Sequence, residues 1–236
     1  MRPSPPTPRH NIAFWTLSLA AFPISYYMFT RFFRPSLKPA KVLGNPTTPT
    51  TATALAASAS TMSSAGDHQV FTGANGCFWG PAQMYTKHFK NKGLISQKVG
   101  YIGGHTANPT YRDVCSGRTG HAEAIQVTFD PSKVSYAELV EFLYRTHDPT
   151  TKDRQGADVG SQYRSAIFPH NDEQKEIVER ITKEVQEKHF TPNGRKIVTT
   201  IEPAKQEDFV EAEEYHQDYL DLNPSGYHCS THRLYW

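Results

Sequence analysis

The stretch Gly73-Ala74-Asn75-Gly76-Cys77-Phe78-Trp79-Gly80 constrains this chain more than any other. A short strand-like run, Gln69-Val70-Phe71, leads into it, and a helical pattern through Met84, Tyr85, His88 and Phe89 leaves it. Proline lacks an N–H and its ring clashes with the carbonyl four residues earlier, so Pro81 belongs in a first helical turn. A helix starting at about Cys77 or Phe78 puts the thiol at the positive end of the helix dipole. Unpaired N–H groups there favour a thiolate. The glycines on either side allow a sharp turn and leave the sulfur uncovered. Cys77 is therefore a candidate nucleophile. A buried structural cysteine is the alternative, because free Cys is among the most buried residue types.

Composition separates the first 66 residues from the rest. They contain no Asp or Glu, six basic residues and many Ser, Thr, Ala and Pro. Taking six positive charges from the net +2 leaves residues 67–236 at about −4, which gives no reason to expect nucleic-acid binding. The chain divides into a basic targeting and linker segment, 1–66, and a catalytic domain, 67–236. Arg-rich, Ser-rich, acid-free sequence fits a mitochondrial transit peptide. Asn11 to Phe29 is apolar but interrupted by Thr16, Ser18, Pro23 and Ser25, marginal for a span that needs about 20 apolar residues. A membrane anchor there is one alternative, and a cytoplasmic form starting at Met62 is another. Pro46 to Ser64 has the composition of a disordered linker. Three cysteines, odd and sparse, fit a reducing compartment or redox chemistry better than a disulfide scaffold.

From Gln69 onward the pattern is regular. Leu94 to Tyr101 reads as a strand, Gly103 to Gly120 as a long loop of the kind that is usually functional, and Glu123 to Phe129 as an alternating strand. Ser135-Tyr-Ala-Glu138 is a capping box opening a helix through Leu143 and Tyr144. Tyr163 to Phe168 is a strand, Asp172 to Glu187 a helix, Lys196 to Ile201 a strand and Gln206 to Leu220 a helix; Asp221 to Trp236 is an irregular aromatic tail. The first six elements have the split βαβ order of a ferredoxin-like fold. The expected class is α+β: a two-layer α/β sandwich with a βαββαβ core, a C-terminal helix–strand–helix extension and the tail.

On the strand 123–129, Glu123, Ile125, Val127 and Phe129 share one face. A carboxyl heading a core-facing row is desolvated, and its pKa rises into the range of a general acid; a strand-end Glu turned to solvent is the alternative. Tyr111 and Tyr163 are candidate neutral donors toward a polar substrate atom, and Phe78 and Trp79 candidate walls of an apolar pocket. Cys229, on a glycine-containing tail, is able to reach another sulfur if the tail folds back. Cys115 reads as buried filler. His228, Cys229 and His232 lack the paired spacing of a zinc site. A Cys–His hydrolase using His121 or His147 as base remains open on spacing.

Gly76-Cys77-Phe78-Trp79-Gly80, Gly103-Gly104-His105 with Asn108-Pro109-Thr110-Tyr111, Val114-Cys115-Ser116-Gly117, Thr119-Gly120-His121-Ala122-Glu123 and Gly160-Ser161-Gln162-Tyr163-Arg164-Ser165 together resemble peptide methionine sulfoxide reductases of the A type. The resemblance runs from about Val70 to the C-terminus. It implies reduction of the S epimer of methionine sulfoxide, free or in proteins. By the resemblance, Cys77 attacks the sulfoxide sulfur and Glu123 protonates the oxygen, with Tyr111 and Tyr163 bonded to that oxygen. Phe78 and Trp79 enclose the S-methyl group, and Asp158 lies near the site. Cys77 becomes a sulfenic acid, and Cys229, as in single-resolver fungal tails, closes a disulfide that thioredoxin reduces. No bound cofactor, no metal and a monomer are the accompanying expectations.

Overall fold

The structure is a computed structural model that describes residues 68–236; the expectations for residues 1–66 lie outside those described. Four strands form the heart of the sheet: β1 (Gln69–Asn75), β2 (Leu94–Ile102), β3 (Ala122–Phe129) and β6 (Ser165–Ile167). They lie in the order β6-β1-β3-β2, all antiparallel, which is the expected split βαβ arrangement. A two-residue β7 (Thr200–Ile201) adds in parallel beside β6, and β8 (Val210–Glu211) adds antiparallel beside β2. A small hairpin, β4 (Arg154–Gln155) with β5 (Asp158–Val159), stands apart from the sheet.

Helices α1 (Trp79–Phe89), α3 (Tyr136–Arg145) and α4 (Asp172–Val185) supply the second layer. Ser135 and Glu138 form the expected capping box at the start of α3, so its first N–H groups are satisfied before packing begins. Phe71, Ile125, Val127 and Phe129 from the sheet meet Tyr85, Leu139, Leu143, Val178 and Ile181 from the helices in the main core. Each such side chain contributes roughly 1.5–3 kcal/mol by leaving water. Ala74, Ile102, Ala124, Ala166 and Phe168 form a smaller cluster.

The region after α4 departs from the sequence expectation. Only Thr200 and Ile201 of the predicted strand 196–201 pair with β6. The predicted helix Gln206–Leu220 is not formed: short 3-10 turns at Gln206–Asp208 and Glu214–His216 flank β8, and only α5 (Tyr219–Leu222) is α-helical. The cause is tertiary. The Gln217 side chain accepts from the Val99 N–H (2.9 Å) and donates to the Val99 and Ala212 carbonyls (3.0 and 2.9 Å), standing in for a strand partner at the sheet edge. The irregular tail is tied down: the Trp236 ring stacks on His189 at 3.9 Å, and Arg145 donates twice to the Trp236 backbone oxygen.

Candidate active site

Between the last residue of β1, Asn75, and the first of α1, Trp79, lie Gly76, Cys77 and Phe78. Gly76 has φ +101°, a region that side-chain-bearing residues rarely enter. This turn brings Cys77 to the start of α1 with Pro81 in the first turn, as the proline required. Cys77 is buried, 8% exposed, so the flanking glycines do not leave the thiol uncovered as expected. Its ionisation differs from the expectation. The Trp79 backbone N–H does favour the thiolate, but burial and then the Glu123 carboxylate outweigh it and push the thiol well up. Cys77 is a thiol at rest.

Glu123 sits at the head of β3, 1% exposed, with Oε2 accepting the Phe78 N–H at 3.2 Å. Burial raises its pKa to about 8 against the pull of that N–H, so the carboxyl is protonated at neutral pH. The two groups are linked: a neutral Glu123 withdraws the second-largest obstacle to ionising Cys77.

The tyrosines converge on the same place. Tyr111 opens α2 (Tyr111–Cys115) within the long loop, behind a Thr110–Asp113 capping box. Its N–H donates to Glu213 Oε1 at 2.9 Å, and Tyr101 Oη donates to Glu213 Oε2 at 2.9 Å. Tyr163 lies in a short 3-10 turn, Ser161–Tyr163, rather than at the start of a strand. Burial keeps both phenols neutral. Cys115 itself is exposed, not buried filler.

Trp79 stacks on Tyr219 at 3.8 Å, its Nε1–H donates to His216 Nδ1 at 3.2 Å, and the His216 ring also lies against Phe78 and Tyr111. Glu213, His216 and Tyr219 were missed by sequence reasoning, which assigned them to a helix. A signal existed: an apolar stripe from Phe209 toward Leu220 would need apolar residues at 213 and 216, and both are polar.

On the other side, Asp158 Oδ1 accepts the Tyr227 hydroxyl at 2.9 Å while Oδ2 is buried without a partner. Cys229 is 5% exposed, 3.5 Å from the Gln155 carbonyl and 3.2 Å from Thr231 Oγ1. The tail is therefore docked against the hairpin that carries Gln155 and Asp158. All three thiols are free.

Neither histidine of the hydrolase alternative is free to act as a base. His121 accepts from the Gly104 N–H (3.3 Å) and donates to the Thr106 carbonyl (2.9 Å). Fully buried His147 bonds the Leu143 carbonyl and Ser165 Oγ, both at 2.7 Å, with its pKa lowered to about 3 by burial. Both rings are saturated and hold structure. His228 bonds the Pro224 carbonyl and His232 that of Asn75, and among the described residues no cluster of metal ligands forms.

Comparison with known proteins agrees with this geometry. Residues 69–234 match the family model described as peptide methionine sulfoxide reductase. The chain is 50% identical over 164 residues to a probable peptide methionine sulfoxide reductase of Schizosaccharomyces pombe, covering 69% of this chain and 94% of that protein. It is similar to the crystal structure of Mxr1 from Saccharomyces cerevisiae in reduced form (TM-score 0.65, 43% identity, 71% of this chain and 92% of that one). It also resembles methionine sulfoxide reductase A of Corynebacterium diphtheriae (TM-score 0.59, 35% identity, 69% and 78%).

Proposed function

The chain belongs to the peptide methionine sulfoxide reductase family, and from that premise we propose that it reduces methionine S-sulfoxide, free or in proteins, by a thiol relay from Cys77 to Cys229. The observation that carries this reading is the buried Glu123 carboxyl beside the Cys77 turn, where it accepts the N–H of the residue after Cys77 at 3.2 Å and burial raises its pKa. Oxide is a poor leaving group, so the sulfoxide oxygen must gain a proton as the sulfur–sulfur bond forms. Glu123 supplies that proton, and the neutral Tyr111 and Tyr163 hydroxyls donate hydrogen bonds to the same oxygen. Trp79 and Phe78 receive the S-methyl group. The unpartnered Asp158 Oδ2 accepts from a donor on the substrate.

The protonated oxygen leaves as water with cleavage of the S–O bond. A water then attacks the Cys77 sulfur, the S–S bond breaks with release of the thioether and a proton, and Cys77 is left as a sulfenic acid. Cys229 displaces it to give a 77–229 disulfide, which thioredoxin reduces by exchange. No bound cofactor or metal enters this sequence, and the protein acts as a monomer. The catalytic domain is residues 67–236. The acid-free leader, 1–66, directs the protein to mitochondria; imaging a fluorescent fusion to it checks this, and a cytoplasmic or membrane pattern would refute it.

Incubation with a methionine sulfoxide and a dithiol should release methionine. Mass spectrometry without reductant should find the 77–229 disulfide. Cys229→Ser should stop at about one methionine per chain with thioredoxin and resume cycling with a small dithiol. Undiminished turnover of that variant with thioredoxin would refute the relay.

A further inference from the structure

Three residues beyond Cys229, His232 rests against the loop that carries Cys77. Its Nε2–H donates to the Asn75 carbonyl at 2.7 Å, and its backbone N–H closes a turn onto the Cys229 carbonyl at 3.0 Å. A carbonyl only accepts, so Nε2 carries the proton and Nδ1 has none. That Nδ1 is buried without a partner, and burial holds the ring neutral. The glycines around Cys77 make room for this imidazole. A Cβ at Gly76 would lie 3.1 Å from His232 Nε2, and one at Gly80 would lie 2.8 Å from His232 Cγ and run into Nδ1. Gln155, whose carbonyl faces the Cys229 sulfur, packs against Gly76 beside this ring. One ring thus ties the turn holding Cys229 to the backbone two residues before Cys77.

We propose that His232 is a positioning residue for the resolving step, a latch that seats the Cys229 segment on the Cys77 loop. The inference rests on the function proposed above. In that step the Cys229 thiolate attacks the sulfur of the Cys77 sulfenic acid; an S–S bond forms, the S–O bond breaks, and hydroxide leaves and takes a proton to become water. Cys229 is oxidised as the sulfenic sulfur is reduced to the disulfide level. The rate depends on the fraction of time the two sulfurs are held together, and a docked segment raises their effective concentration. Release of the same bond loosens the Cys229 turn for reduction by an external dithiol protein.

The test separates the two steps in His232→Ala and His232→Gln. Full-length protein is mixed with excess methionine sulfoxide and no reductant. Methionine release and the 77–229 disulfide are followed by rapid quench, alkylation and mass spectrometry. Both variants should release the first methionine at the wild-type rate, whereas His232→Ala should form the disulfide about tenfold more slowly, the scale of one net hydrogen bond. His232→Gln, whose amide N–H is able to reach the Asn75 carbonyl, should recover most of that loss. Disulfide formation by His232→Ala at the wild-type rate, with Cys229→Ser forming none, would overturn the latch and leave the relay standing. Equal slowing of both steps, or no recovery with Gln, would reduce His232 to a packing residue and overturn it too. Failure of the wild type to release methionine would overturn the function and the latch together.

Discussion

Replacing Glu123 with Gln should make the protein more tolerant of alkali. The carboxyl is 1% exposed, and burial raises its pKa from 4.5 to about 8. In the unfolded chain it ionises at the lower value. Between the two, the folded state holds a proton that the unfolded state has lost. The stabilisation from this group is therefore complete below the unfolded pKa and is lost as pH rises through the folded one. Each pH unit in that window removes ~1.4 kcal/mol, roughly 5 kcal/mol across it. Gln is nearly isosteric, does not titrate, and keeps an oxygen for the Phe78 N–H that Oε2 accepts at 3.2 Å. Urea unfolding of both proteins, thiols kept reduced, gives the difference in stability at each pH, and titrations common to both cancel. That difference should shift toward the Gln variant by ~1.4 kcal/mol per unit from about pH 5 to 8 and level off above. A difference that does not change with pH would mean Glu123 is already ionised in the native state, and the proton donor would be lost.

Other outcomes follow from the same geometry. In single-turnover methionine release, Glu123→Gln should retain part of the rate because an amide still donates a hydrogen bond, while Glu123→Ala should lose about 10²–10⁴-fold; equal losses would make the carboxyl structural. Alkylation of Cys77 by iodoacetamide in the substrate-free protein should be slow at neutral pH and rise only in strong alkali, since burial, joined by the Glu123 carboxylate once it ionises, holds the thiol protonated. Rapid labelling at neutral pH would restore the resting thiolate. Exposed Cys115 should label well before Cys77, a comparison that one mass spectrum provides. Trp79→Phe removes the Nε1–H donated to His216 and should raise KM more than it lowers kcat; the reverse pattern would assign Trp79 to the chemical step.

What was legible in the chain was local or periodic. Pro81 and the flanking glycines located the junction at Cys77, and the alternation through Ile125, Val127 and Phe129 put Glu123 on the core face. What was not legible depends on groups distant in sequence. The helix dipole at Cys77 is a local effect, but the burial and the carboxylate 46 positions away that override it are not visible along the chain. Gln206 to Leu220 has helix-forming residues, yet Gln217 satisfies Val99 and Glu213 satisfies Tyr111 and Tyr101. Those tertiary bonds outweigh propensity. The tail showed a thiol and a glycine, and its docking uses contacts distant in sequence, among them His232 to Asn75 and Tyr227 to Asp158.

The most direct measurement traps the first intermediate. Cys229→Ser mixed with one equivalent of methionine sulfoxide and a sulfenic-acid-specific dione should yield one methionine per chain and one dione adduct, located by peptide mapping at Cys77. Methionine released by Cys77→Ser, or an adduct at Cys115 in place of Cys77, would contradict the account.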